Sequence, residues 1–439
     1  MRRLLPFLLL PYRWLRHPRR LLAIFLLLLL ISCAALLGMR LWALHELQVG
    51  RALLERYHQD EARPHLEACR RLWPDNAEAL LLLARAARRA SVLDMADQYL
   101  EEYQRRHGPT EELALEQILQ AAAKGEVDRV GKYCKDLVRQ DSPAAPLALE
   151  AMIQGYFQTY RLGEGHGALQ VWLERDPDNT QALVFEAGLK AMLLHFEEAS
   201  EIYKRILRLD PEHYTARLRL ATLLMEKLKH AEAIPHLEHL RQRYPDNPMV
   251  AVLLAKCRFQ LGRQADAEKL LEEILARQPQ FAPALAERGR LALARGEMDL
   301  AEGCYREALA QEPSNFHMLY QLSQCLSQSG RTADADIIFR RLDKLSLNGK
   351  RLEKITTEEM QQRPHDPALQ HELALLMMDQ GQPEEAVKWL ERALKEDPSY
   401  PPAHQALADF YQQGGDPERA AYHRQFLATS LPTRPVTKP

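Results

Sequence analysis

The chain of 439 residues contains little glycine and no closely paired cysteines. Only 19 residues are glycine, and none of the six cysteines forms a CxxC pair. The cysteine spacing therefore excludes a zinc ribbon and a CxxC redox motif. His45-Glu46 and His371-Glu372 do not extend to HExxH, which excludes that zinc-protease signature. These absences remove the commonest motifs through which a chain of this length holds a metal or reacts through a thiol.

The remaining candidates for chemistry are weak. His236 and His239 stand at i, i+3 on a predicted helix and could form one edge of a metal site, but the sequence places no third ligand. Gly163 to Gly167 is glycine-rich, yet no strand precedes it, so we interpret it as a loosened turn rather than a phosphate loop. Buried, unreactive thiols are expected at Cys134, Cys257, Cys304 and Cys325. We therefore predict no catalytic residue, no metal and no cofactor, and no enzyme activity.

Positive charge is concentrated at the N-terminus. Residues 1–40 contain seven of the 58 lysines and arginines and no acidic residue. The remaining 51 basic residues stand against 60 acidic residues, which gives the rest of the chain a net charge of −9. An acidic body of this kind disfavours nucleic acid as the main partner.

A long apolar run follows the basic segment of residues 1–20. Leu21 to Met39 contains 19 uncharged residues. As a helix this run would rise about 28 Å, which is close to the hydrocarbon thickness of a bilayer. We predict a transmembrane helix over 21–42, with Trp42 at one membrane interface. Because arginine-rich flanks stay cytoplasmic, the body from residue 43 should lie outside the cytoplasm.

The same run permits a second type of anchor. Leu30-Ile31-Ser32-Cys33 resembles the lipobox of bacterial lipoproteins, and Leu21 to Ile31 has the length of a signal-peptide apolar core. The alternative to a membrane span is therefore lipidation of Cys33. The apolar run continues to Met39 and no polar tether follows it, which favours the uncleaved span.

Proline recurs every 34 residues through the middle of the chain, at Pro143, Pro177, Pro211, Pro245, Pro279 and Pro313. Alanine keeps the same interval, at Ala199, Ala233, Ala267, Ala301 and Ala335. Two residue types in one register indicate stacked repeats. Each interval contains two amphipathic segments, for example Thr180 to Leu194 and Phe196 to Leu209, and proline ends the second. Asn179 and Asn247 follow their prolines and favour the start of the next helix.

The repeat resembles the tetratricopeptide repeat. One copy matches the family pattern with Leu183, Ala187, Ala199, Tyr203 and Pro211, although the initial tryptophan is absent from every copy. The resemblance implies an all-α fold, a right-handed superhelical solenoid of about eleven helix-turn-helix units, preceded here by one transmembrane helix. The small residue at the alanine position lets the second helix lie close against the first.

The 34-residue register divides the body into segments. Repeats one to nine occupy 43–349. Leu347 stands where a proline is due, and the next proline in phase is Pro364, so 350–366 is an extra half-repeat, a single helix through Glu353 to Gln362. This segment is either a spacer or a bend or docking point between two parts of the stack. Repeats ten and eleven occupy 367–434, and 435–439 forms a tail.

The resemblance also implies that the first helix of each repeat lines a concave face that binds protein partners or peptides. The register places an apolar groove in repeats four to seven, at Phe157, Val184, Met192, Leu218, Met225, Val252 and Phe259. A basic flank is expected in repeat two, at Arg85, Arg88 and Arg89. The alternative is that the apolar residues belong to the core between helices.

The predicted function is a membrane-anchored, non-catalytic scaffold. The alternative is an accessory or assembly subunit of a bacterial envelope system, such as polysaccharide export or pilus biogenesis. The sequence leaves the oligomeric state open.

Topology can be tested with protease added to the outside of spheroplasts. The repeat body should be digested, because the arginine cluster keeps only the N-terminus in the cytoplasm. Full protection until the cells are lysed would contradict this orientation. Cys33→Ser should leave the mature mass and the anchoring unchanged, whereas loss of a lipid mass would establish the lipoprotein alternative.

Overall fold

A computed structural model describes residues 18–429 of the chain. These residues form helices and no strand, which confirms the all-α prediction. The predicted basic segment up to residue 17 and the predicted tail lie outside the described residues. The chain divides into two compact units, residues 1–152 and 153–439, which are described separately.

The first unit begins with one long helix and continues as helix pairs. Its helices are α1 Pro18–Glu55, α2 Gln59–Leu72, α3 Ala77–Arg89, α4 Leu93–His107, α5 Glu111–Ala123, α6 Val127–Arg139 and α7 Ala145–Gln158. The division between the two units falls within α7.

Helix α1 joins the apolar N-terminal run to the first repeat without a break. Its residues from Phe25 to Trp42 are exposed, whereas Ala43 and Leu47 are buried in the core that α1 forms with α2. Among the described residues, the part of this helix from Phe25 to Glu55 is long and apolar enough to cross a membrane. The boundary predicted between residues 42 and 43 is therefore a change in burial within one helix, since no turn separates the two parts.

The second unit continues the helix pairs to the end of the described chain. Its helices are α8 Leu162–Arg175, α9 Thr180–Met192, α10 Phe196–Leu209, α11 Tyr214–Glu226, α12 His230–Arg243, α13 Pro248–Gln260, α14 Gln264–Arg277, α15 Ala282–Ala294, α16 Met298–Gln311, α17 Phe316–Gln328, α18 Thr332–Lys354, α19 Met360–Gln362, α20 Pro367–Asp379, α21 Pro383–Glu396, α22 Pro401–Gln413 and α23 Pro417–Thr429.

Asparagine side chains start several first helices of the repeats. The Asn179 side chain accepts a hydrogen bond from the backbone N–H of Ala182 at 3.1 Å. Asn247 accepts hydrogen bonds from the N–H groups of Met249 and Val250 in the same way. These bonds satisfy donors that have no partner within the helix, which confirms the predicted helix starts.

The turn within each repeat requires one residue in the left-handed backbone region. Gly262, Gly296 and Gly330 hold this place with φ between 76° and 78°. Glycine adopts this conformation without a steric penalty from Cβ. In repeats four to six the equivalent residues are Tyr160, Leu194 and Leu228, with φ between 56° and 61°. Bulky residues in this region are uncommon and indicate a local constraint.

The two helices of a repeat touch where the sequence has its small residues. Ala199, Ala233 and Ala267 are fully buried between helices. In repeat four a Cβ atom on Gly165 would lie 2.5 Å from the ring of Phe157. Gly163 to Gly167 therefore lies in the first turns of α8, and the predicted loosened turn is wrong. Of these glycines, Gly165 serves for close helix packing.

The extra half-repeat is joined to the second helix of repeat nine. Helix α18 runs from Thr332 to Lys354, and a π-helical turn, Ile355–Glu359, leads into α19. A wider turn of this kind changes the direction of the helix that follows it. The expected helix through Glu353 to Gln362 therefore begins 21 residues earlier, as a continuation of α18.

Ala267→Leu tests the close helix contact. Ala267 is fully buried, so the larger side chain should overpack the contact and lower the free energy of unfolding by about 1–3 kcal/mol. Ala265→Leu on the exposed side of the same helix is the matched control and should have little effect. Thermal unfolding followed by circular dichroism measures both variants. Equal melting curves for the two would show that the contact is not tight.

Candidate functional site

The first helices of consecutive repeats contact one another in the second unit. Helix α13 packs on α15, and α15 packs on α17. In a curved stack, the helices that meet from repeat to repeat lie on the side with the shorter radius. We call the surface of the first helices α9, α11, α13, α15 and α17 the inner face.

The seven predicted groove residues lie in three environments. Met192 is 51% exposed at the end of α9. Val184, Leu218 and Phe259 are half-buried and pack against the core. Phe157 is also half-buried, and its ring meets that of Phe185 edge to face at 6.0 Å. Met225 and Val252 are 7% and 4% exposed and belong to the core between helices. The groove stays a prediction. Met225 and Val252 fit the alternative, in which the apolar residues belong to the core between helices.

Some exposed apolar residues on the first helices are absent from the predicted groove. Met249 on α13 is 40% exposed, and Leu375 on α20 is 42% exposed. Met249 precedes Val252 by three residues and so lies on the same side of the helix. Helical spacing could therefore have identified Met249. Tyr320 on α17, which the register places on the same surface, is 43% exposed.

The predicted basic flank is neutralised within the first unit. Arg85 and Arg88 both contact Glu116, with nitrogen–oxygen distances of 2.5 and 2.7 Å. Arg89 contacts Glu150 at 2.8 Å, and both side chains are buried. Burial alone would raise the pKa of the Glu116 carboxyl, but Arg88 and Arg85 outweigh it and hold that pKa below its ordinary value.

These arginines are therefore paired core residues rather than a free basic surface. The partner of Arg85 and Arg88 could have been suspected from the sequence, because Glu116 follows them by about one repeat interval and adjacent repeats stack. Glu150 instead reaches Arg89 from repeat four, two repeats further along the chain.

An uncompensated positive charge lies instead on the inner face of repeat seven. The Arg290 guanidinium lies 4.3 Å from the centre of the Phe259 ring and contacts Glu287. Within the described part of the chain, Lys256 contacts no carboxylate, and its side chain is half-buried. Burial, with the nearby Lys256 and Arg290, lowers the pKa of His230, so this imidazole is neutral. Lys256 therefore contributes an uncompensated positive charge to an otherwise apolar surface.

Among residues 18–429, the candidate histidines and cysteines do not form a metal site. His239 contacts Glu212 at 3.3 Å, and residues 18–429 contain no group of three or more potential ligands close enough to hold a metal. The four repeat cysteines are buried, as expected. Burial raises the pKa of the Cys134 thiol to about 11, and that of Cys257 to about 11 as well.

Three models described as tetratricopeptide repeat match the sequence. One matches residues 41–111, 193–248 and 286–346, another 229–288, and the third 367–410. The chain belongs to the tetratricopeptide repeat family. Together with the helix pairs and their close contacts, this membership shows a fold that serves as a protein-interaction module.

Several solved tetratricopeptide repeat structures are similar in fold. PilW, described as a widely conserved type IV pilus biogenesis factor, is 20% identical, with 45% of this chain and 91% of PilW covered and a TM-score of 0.39. A tetratricopeptide repeat protein from Parabacteroides merdae is 17% identical over 65% of this chain and 99% of its own, with a TM-score of 0.35. Human IFIT1 is 15% identical over 81% and 90%, with a TM-score of 0.42. No curated protein matches the sequence. None of these similarities bears on what this chain binds.

Glu150→Gln tests the buried ion pair. The substitution leaves Arg89 buried without a counter-charge, so the free energy of unfolding should fall by about 3–5 kcal/mol. Glu101→Gln on the exposed surface of α4 is the control and should change it little. Chemical denaturation of the full chain in detergent gives both values. A loss for Glu150→Gln no larger than the control's would show that the pair is not structural.

Proposed function

We propose that the chain is a non-catalytic scaffold whose inner face binds a peptide segment of a protein partner. One observation carries this proposal: exposed apolar side chains, Met192, Met249 and Tyr320, lie on the first helices of the alternate repeats five, seven and nine. Apolar side chains in line on an open surface mark an interaction site. Methionine suits such a site because its flexible thioether adapts to different partners.

The chemistry of the inner face indicates the kind of peptide. Half-buried Val184, Leu218 and Phe259 supply a floor beneath the exposed residues, so apolar side chains of the ligand would be covered. Lys256 would place an acidic residue of the ligand near repeat seven. The basic flank predicted for repeat two is not proposed as part of the binding face, since its arginines already have carboxylate partners.

Helix α1 supports a proposed membrane anchor. Its residues from Phe25 to Trp42 are apolar and exposed, except for the single charge of Arg40, and in the described chain no other element covers them. Insertion into a bilayer would remove this surface from water. With the N-terminus in the cytoplasm, the repeats would lie outside it. Cys33 is exposed on the same helix, so lipidation at this residue remains the alternative anchor.

The proposal predicts the effect of two surface substitutions. After affinity capture by the full chain identifies a partner, Met192→Ser and Lys256→Gln should each weaken its binding about tenfold, because loss of one central contact costs about 1.4 kcal/mol. Titration calorimetry with the partner's peptide measures the change.

Matched controls lie on the second helices. Leu209→Ser removes an exposed apolar side chain at the end of α10, and Lys269→Gln removes a positive charge on α14. Both residues lie on second helices, so both substitutions should leave binding intact. If the controls weaken binding as much as the test variants, the inner face is not the site. One tight co-purifying complex would favour the accessory-subunit alternative, and several exchanging clients a general scaffold.

A further inference from the structure

Residues separated by about six repeats meet within the second unit. The ring of Tyr160 in repeat four stacks on Trp389 in repeat ten, with centroids 6.0 Å apart and planes inclined by 14°. Arg392 lies over the same tryptophan at 4.5 Å and donates a hydrogen bond to the carbonyl of Gln158. Repeat ten therefore reaches back to the turn of repeat four.

The extra half-repeat contributes to the same contact. The Gln361 amide donates to the carbonyl of Tyr160, and its oxygen accepts from the backbone N–H of Gly163 at 3.4 Å. One side chain thus satisfies two backbone groups of the repeat-four turn. Ile355 and Met360 in the same segment are buried in the core that contains Trp389 and on which Tyr160 packs. We call this whole contact the latch.

Three irregularities of the chain coincide at the latch. Tyr160 occupies a left-handed position, with φ 56°, where repeats seven to nine have glycine. The half-repeat that interrupts the 34-residue period contains Gln361. The π-helical turn precedes that residue, and Arg351 fixes it by contacting both Glu359 and Glu372. The tryptophan stack and the Gln361 bonds hold Tyr160, whereas Leu194 at the equivalent place in repeat five is exposed.

The latch changes what can reach the inner face. Because repeats four to ten are continuous along the chain, a contact between repeat four and repeat ten closes them into a ring. The first helices of repeats seven, eight and nine contact one another, which puts the inner face on the short-radius side of this ring. A polypeptide bound there has to pass a free end through the ring, or the latch has to open.

We propose that the latch selects the ligands of the inner face, admitting linear peptides with a free end and excluding internal segments flanked by folded domains until it opens. This inference rests on the proposed function of the inner face. It names the class of ligand: an unfolded terminus or a flexible tail of a partner protein.

A reversible crosslink tests the selection. In the full chain carrying Cys33→Ser, the pair Gly163→Cys and Gln361→Cys places two thiols at the latch, while the five native cysteines that remain are buried. The probes are a fluorescent leucine-rich peptide with free ends and the same peptide inserted between two small folded domains. Oxidation should leave binding of the free peptide unchanged and slow association of the flanked peptide at least about tenfold, and a reductant should reverse the effect.

Opening the latch is the complementary measurement. Tyr160→Gly keeps a residue suited to the left-handed turn but removes the stacking ring, so the flanked peptide should associate about tenfold faster. Leu194→Gly makes a similar change at the equivalent, exposed position of repeat five and should have no effect. Circular dichroism checks that both variants stay folded.

The outcomes separate the two proposals. Unchanged association of the flanked peptide with the oxidised protein, or equal effects of Tyr160→Gly and Leu194→Gly, would overturn the latch while leaving the proposed binding face intact. If an identified partner peptide and the leucine-rich probe both fail to bind the wild-type inner face, the proposed function is wrong and the selection falls with it.

Discussion

The close approach of the two helices in each repeat is the constraint on which the rest of this structure depends. Where the two helices touch, one of them must carry a side chain no larger than a methyl group. Gly50 shows how tight the contact is, since a Cβ there would lie 2.6 Å from the Leu66 side chain. Gly289 faces Tyr305 in the same way, at 3.0 Å. Repetition of this contact brings the first helices of successive repeats together and so creates the inner face.

Local features were predictable because they depend on residues near in sequence. The helix pairs, the asparagine caps and the buried alanines follow from spacing within one repeat. The stacking of Tyr160 on Trp389 depends on the curvature summed over six repeats, which no local pattern encodes. The pairing of Arg89 with Glu150 joins side chains 61 residues apart, so Arg89 looked free in the sequence.

Residues of the inner face are hard to assign from the sequence for a related reason. A helix in a stack buries residues against its partner helix and against both neighbouring repeats. A small rotation of the helix about its axis therefore decides which of its apolar residues lie in the core and which lie on the surface. Val252 is buried and Met249 is exposed on the same helix, although both are apolar and three residues apart. Hydrophobic spacing identifies the helix but does not separate these two environments.

The uninterrupted α1 has a mechanical consequence for the proposed membrane-anchored form. The helix that would cross the bilayer is also the first helix of the first repeat, and no flexible tether stands between them. The lipid-facing side of the anchor and the packed side of the repeat are then held in a fixed rotational phase. One residue inserted near Met39 would turn one part against the other by about 100° and displace it by about 1.5 Å. The anchor would thus be rigidly coupled to the first repeat, so that tilting or turning it in the bilayer would turn the first unit with it.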